Sequence, residues 1–82
     1  MSLFDGLIDE KTLKVLSLFS KSPSEFYHIN KVSSDTKVPL ATSFRIINSL
    51  LNNSLIECRK ISKFKIYRLA DNEKTRRLSR LL

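Results

Sequence analysis

Hydrophobic positions along the chain fall into blocks with different spacings. Leu13, Leu16 and Phe19 recur at three-residue steps, with Ile8 and Val15 broadening the stripe, which is the pattern of an amphipathic helix. Asp9 is placed to cap that helix and "SKSPSE" to end it at Pro23, so a first helix is predicted over roughly residues 9–21. "EFYHI" (25–29) is short, aromatic and branched and suits a brief strand, and "NKVSSDT" then offers one or two turns of a second helix. Pro39 biases Val38 away from helical angles and is itself suited to a first helical turn. A third helix, about residues 40–53, therefore starts almost as soon as the second ends. A short helix, a tight turn and a longer amphipathic helix form a helix-turn-helix arrangement.

Within "PLATSFRIINSLL" (39–51), a helical projection puts Leu40, Ser43, Phe44, Ile47, Leu50 and Leu51 on one side, and Thr42, Arg45, Ser49 and Asn52 on the other. The first side is the expected core face. The second is small, polar and carries one arginine. Ile46 lies on the border. Beyond this helix "LIECRKISKFKIYRLA" (55–70) reads as a hairpin. With Ser62 and Lys63 as a two-residue loop, Ile61 pairs with Phe64, Lys60 with Lys65, Cys58 with Tyr67, Glu57 with Arg68 and Ile56 with Leu69. One face is then apolar at its base, where Cys58 is expected as a small core residue, and ends in two lysines at its tip. "DNEKTRRLSRLL" (71–82) can form a terminal amphipathic helix with Leu78, Leu81 and Leu82 on one side.

Eighty-two residues make one small domain, residues 1–82, with room for one modest core and no spacious ligand cavity. Function is therefore expected on the surface. The charge is lopsided: residues 1–36 hold four basic and five acidic side chains, whereas residues 37–82 hold eleven basic and three acidic. A one-sided basic excess points to a polyanion, nucleic acid or an anionic membrane surface. No apolar run is long enough to span a bilayer and "MSLFDGLIDEK" lacks the basic start of a signal peptide. One cysteine excludes an internal disulfide and fits a reducing compartment, so a cytoplasmic location is expected.

The order helix, short strand, helix, turn, helix, hairpin, helix resembles the winged helix-turn-helix domain of small prokaryotic, archaeal-type transcriptional regulators. The resemblance is closest in "VPLATSFRIINSLLNNSLIE" (38–57), which looks like that family's recognition helix and the strand after it. Val38 matches the hydrophobic residue of the turn. "ATS" (41–43), Phe44 with Arg45, Ile47, Leu50 and "SLIE" (54–57) match the small cluster, aromatic-Arg pair, spaced leucines and exit that follow. "EFYHINKV" and "KIYRLAD" look like the lead into the family's second helix and the return strand of its wing. Ser54 stands where the family usually has glycine, so a left-handed residue there falls to Ser54 or Asn53. The resemblance implies a mainly α fold with a small β-hairpin: a three-helix core, a wing and a C-terminal helix over 71–82. It also implies sequence-specific binding to double-stranded DNA, and the apolar residues at the two ends of the chain add the expectation of a homodimer.

A helix fits the major groove only if its leading face is slim and offers hydrogen-bonding groups. Ala41, Thr42, Arg45 and Ser49 are the expected base contacts. Arg59, Lys60, Lys63 and Lys65 crowd the hairpin tip, and like charges opposite each other across a strand pair call for a partner that neutralises them. These four, with Lys31 and Lys37 near the turn, are the expected phosphate contacts. Leu3, Phe4 and Leu7 at one end and Leu78, Leu81 and Leu82 at the other are the expected dimerisation residues.

His28 and Cys58 are the only soft metal ligands, too few for a zinc or metal-sensor site, and His28 is read as structural. No cofactor is expected. No Ser/His/Asp set, paired carboxylate or glycine-rich phosphate loop is present, so no enzymatic chemistry is expected either. The alternatives are a winged-helix module that docks on protein in a transcription or other nucleic-acid-processing complex, and a binder of RNA or single strands. For the latter, Phe64 is the one good stacking candidate.

Overall fold

A computed structural model describes residues 9–81. The chain runs α1 (Glu10–Lys21), β1 (Tyr27–His28), α2 (Ile29–Thr36), α3 (Leu40–Asn52), β2 (Ile56–Ile61), β3 (Phe64–Leu69) and α4 (Glu73–Leu81). Helices α1, α2 and α4 each start at a side chain that partners a first-turn backbone group. Asp9 Oδ1 accepts from the Thr12 N–H at 2.7 Å, and His28 Nδ1 accepts from the Asn30 N–H at 3.2 Å, so two first-turn donors gain partners that the helices themselves cannot supply. His28 is thus structural, as expected. At α4 the cap is reciprocal: Asn72 Oδ1 accepts from the Thr75 N–H at 2.9 Å, while the Asn72 N–H donates to Thr75 Oγ1 at 3.2 Å.

The three strands form an antiparallel sheet in the order β1-β3-β2. The hairpin register matches the expected one at every pair, from Ile56 opposite Leu69 to Ile61 opposite Phe64. Without glycine or asparagine in the loop, Ser62 takes the positive φ of 56° that so tight a connection requires. The core lies where α1, α2 and α3 meet the base of the sheet. It is built from Val15, Leu16 and Phe19 of α1, Val32 of α2, Ile46, Ile47 and Leu50 of α3, and Tyr27, Ile56, Tyr67 and Leu69 of the sheet. The Phe19 and Tyr27 rings meet edge to face at 5.4 Å, a favourable arrangement of aromatic quadrupoles.

Three expectations about the core need correction. Leu13 is exposed, because the buried stripe of α1 runs through 15, 16 and 19 and position 13 lies more than a quarter-turn from its centre. Cys58 is also exposed: β2 is an edge strand of which only Ile56 is buried, and the helices cover the sheet only at its base. On α3, Leu40 and Phe44 face outward and Ile46 faces in, so the buried stripe is Ser43, Ile46, Ile47 and Leu50.

Helix α4 is tied to the turn after α3. Lys74 Nζ donates to the Asn53 carbonyl and Asn72 Nδ2 to the Ser54 carbonyl, both at 2.8 Å. Thr75 is buried and its hydroxyl donates to the Ala70 carbonyl at 2.6 Å. Leu78 packs against the chain's own core. The other expected dimerisation residues, Leu3, Phe4, Leu7 and Leu82 together with the Leu81 side chain, lie outside the described residues. No helix among the described residues is long and apolar enough to cross a membrane.

Candidate nucleic-acid interface

The turn between α2 and α3 is fixed by a single carbonyl. Val38 is buried, and its carbonyl oxygen accepts from Ser33 Oγ of α2 at 2.6 Å and from Ser43 Oγ of α3 at 3.2 Å. One acceptor thereby links both helices to the turn. Lys37 closes α2 in the left-handed region (φ 58°, ψ 30°), which reverses the chain within two residues of Pro39. No side chain caps α3, whose N-cap is Pro39. With Ser43, Ile46, Ile47 and Leu50 buried, the residues turned to solvent are Leu40, Ala41, Phe44, Arg45, Asn48, Ser49 and Asn52, with Thr42 half-buried at the margin.

The hairpin beyond the core divides its cations between two faces. Lys60 and Lys65 sit directly opposite each other on the face that is apolar at its base, and Lys63 stands in the loop. Arg59 belongs to the other face. Its guanidinium carbon lies 5.1 Å from the centre of the Phe26 ring, and that of Arg68 lies 4.5 Å from the same ring, both within cation–π range. Arg68 is also paired with Glu57, Nε donating to Oε1 at 2.8 Å. At the tip of this second face Ile61 and Phe64 are exposed as a pair, and the Phe64 ring lies 5.9 Å from that of His28.

The ion pairs among the described residues are Lys31–Asp35, Glu57–Arg68, Asp71–Arg76 and Glu73–Arg77. Lys37, Arg45, Lys60, Lys63 and Lys65 take part in none of these. The interface cations closest to the turn and the wing tip are therefore the uncommitted ones. Burial pushes the Tyr67 hydroxyl above its ordinary value, with the neighbouring Cys58 adding to it. Among the described residues no group of three or more His, Cys, Asp or Glu could hold a metal ion. An open cleft of about 390 Å³ lies between α1 and α2, lined by Leu13, Leu18 and Thr36 among others, and it contains none of the predicted interface residues.

No protein-family model and no curated protein matches the sequence. Solved structures do match in three dimensions. HlyU from Vibrio cholerae superposes with a TM-score of 0.75 at 16% identity, over 96% of this chain and 82% of that one. A protein from Archaeoglobus fulgidus does so with a TM-score of 0.74 at 21% identity, over 98% and 88%. The homodimeric winged helix-turn-helix DNA-binding domain of a possible ArsR-family transcriptional regulator from Mycobacterium bovis gives 0.73 at 23% identity, over 94% and 68%. The fold is a winged helix-turn-helix. At these identities the likeness is one of architecture, with α2 and α3 as the helix-turn-helix and β2–β3 as the wing.

In this frame the predicted residues can be located one by one. Ala41, Arg45 and Ser49 are exposed on α3, and Thr42 sits at its edge. Lys60, Lys63 and Lys65 gather at the wing tip and Lys37 at the turn. Arg59 lies on the other face of the sheet by strand alternation, over Phe26, and Lys31 is 3.3 Å from the Asp35 carboxylate one turn along α2. Sequence reasoning missed Leu40, Phe44 and Asn48 as surface residues. Spacing alone held no decisive signal for them: the buried stripe of 43, 46, 47 and 50 and the expected one share Ser43, Ile47 and Leu50, and Leu40 falls only about 20° beyond Ile47 at 100° per residue.

Proposed function

We propose that this chain binds double-stranded DNA sequence-specifically as a small cytoplasmic transcriptional regulator, with α3 in the major groove and the wing lysines on the phosphate backbone. The observation that carries the reading is the exposed face of α3, slim at Ala41 and armed with Arg45, beside a wing whose lysines are in no ion pair among the described residues. Arg45 can bond a guanine edge, Asn48 an adenine edge, and Thr42 and Ser49 either. Lys37, Lys60, Lys63 and Lys65 supply the phosphate contacts that hold register without reading sequence. The uncapped first turn of α3 adds backbone N–H groups suited to a phosphate oxygen. The neighbour from Mycobacterium bovis, a homodimeric DNA-binding domain, favours two copies on one site. The residues proposed to join them are Leu3, Phe4, Leu7, Leu78, Leu81 and Leu82, and sedimentation giving a monomer at micromolar concentration would remove that part.

Two variants test the division of labour. Arg45→Ala is expected to cost ~1–3 kcal/mol on the preferred site and to relax base preference at one position, whereas Lys63→Ala weakens all duplexes alike and lowers the salt slope by about one unit. Identical behaviour of the two would refute the assignment of roles. A second reading, a winged-helix module that docks on protein, draws on the exposed Ile61 and Phe64 at the wing tip. Capture of a protein partner that survives loss of Arg45 and Lys63 would favour it.

A further inference from the structure

Phe44 is 53% exposed and Leu40 49% exposed, one turn apart on the outward face of α3. Neither is there for want of a core position, because Ser43 and Ile46 fix which way the helix faces. Ser43 is bound to the Val38 carbonyl and Ile46 is buried. The next residue along the same ridge is Asn48, also exposed, and Arg45 stands beside it. This apolar ridge runs along the border of the exposed face, beside the row of Ala41, Arg45 and Ser49, and an exposed apolar ridge next to that row needs an apolar counterpart. On the floor of the major groove there is one such group, the 5-methyl of a pyrimidine, which in unmodified DNA means thymine.

We infer that Phe44, supported by Leu40, reads the 5-methyl group of a thymine, so that the preferred site carries an A·T pair opposite this ridge. This rests on the proposal that α3 enters the major groove. Asn48, the next step along the ridge, has the amide that pairs with the N6 and N7 edge of adenine. The ridge and Asn48 together thus favour neighbouring A·T pairs, while Arg45 supplies a guanine contact at its side. The hydrophobic gain from covering one methyl corresponds to about a fourfold difference in affinity.

The test begins with a duplex selected by the wild-type protein from a random pool. Each thymine of that duplex is then replaced in turn by deoxyuridine, which removes the methyl and leaves every hydrogen-bonding edge intact. Affinity is read by fluorescence anisotropy. The expected result is a loss of about fourfold at one or two adjacent thymines and none elsewhere, with Phe44→Ala weakening the thymine duplex by a similar factor and becoming indifferent to the replacement. The exchange needs no change to the protein, so it stands whether or not the variant folds. Equal binding to all the deoxyuridine duplexes would overturn the methyl contact while leaving DNA binding intact. Failure to select any duplex would overturn the DNA reading and this inference with it.

Discussion

The Val38 carbonyl is the joint of the helix-turn-helix, and removing its two donors separately and together measures how firmly the joint holds. Ser33→Ala takes away the donor from α2 and Ser43→Ala the donor from α3. Each loss costs ~1 kcal/mol as a net hydrogen bond, and the better helix propensity of alanine returns roughly half of it. Either single variant is therefore expected to lose only about 0.5 kcal/mol, since the buried oxygen keeps one partner. In the double variant the oxygen keeps neither, and leaving a buried acceptor unsatisfied costs a further ~1–2 kcal/mol. The double variant should thus fall by about 2–3 kcal/mol, a drop in Tm on the order of 10–20 °C for a domain of this size. Urea unfolding followed by circular dichroism, run on all four proteins, reads the coupling. If the two single losses simply add to within ~0.5 kcal/mol, the sites are independent and the shared carbonyl does not hold the turn.

Three further outcomes follow from particular contacts. Thr75→Val removes a buried hydroxyl that serves Ala70 and the α4 cap, and is expected to cost ~1–2 kcal/mol in the same unfolding assay, with Thr75→Ser retaining most of it. Ser54→Gly relieves a left-handed residue (φ 60°) at the end of α3 and should raise stability by about 0.5 kcal/mol, the backbone relief outweighing the added freedom of the unfolded chain. The Thr12 N–H and hydroxyl hold the Asp9 carboxylate below its ordinary value of 3.8. Its contribution to stability is then complete above that value and disappears as pH falls through the lower, folded-state value. Asp9→Asn keeps a cap that does not titrate, so a Tm scan between pH 2 and 6 should show a flatter acid limb than the parent.

The sequence carried different parts of the fold with different clarity. The hairpin was fully legible because its register follows from one fact, a two-residue loop, and because strand periodicity of two leaves no half-measures: a slip by one would bury Glu57 and Arg68 and expose Ile56 and Leu69. The left-handed residue after α3 was legible only through the family resemblance, which puts a glycine there and so left Asn53 or Ser54 to take that conformation; Ser54 does. The face of α3 was not. Two apolar stripes share Ser43, Ile47 and Leu50, one adding Leu40, Phe44 and Leu51 and the other Ile46. They differ by about 50° at 100° per residue. The choice between them is tertiary, made where the serine pair fixes the turn and Ile46 meets the core.

Cys58 was misjudged, and the surroundings of Arg59 were not legible, for a related reason. Alternation along a strand tells which residues share a side but not how far the helices extend over it. The core stops at the base of the wing, so Cys58 is left outside. Arg59 faces Phe26 across β3, an approach that depends on β1 joining the sheet at the far edge of β3. The lysines at the wing tip were legible because their isolation from acidic residues is visible in the chain itself.

The central claim is that this basic winged helix-turn-helix grips duplex DNA through its backbone. Anisotropy of a labelled random-sequence duplex, titrated with the protein at several salt concentrations beside the matching single strand, tests it most directly. With Lys37, Lys60, Lys63 and Lys65 on phosphate, binding should favour the duplex and weaken steeply with salt, log K falling against log salt with a slope of about −3 to −4. No duplex binding at low salt, or binding of the single strand as tight as of the duplex, would contradict it.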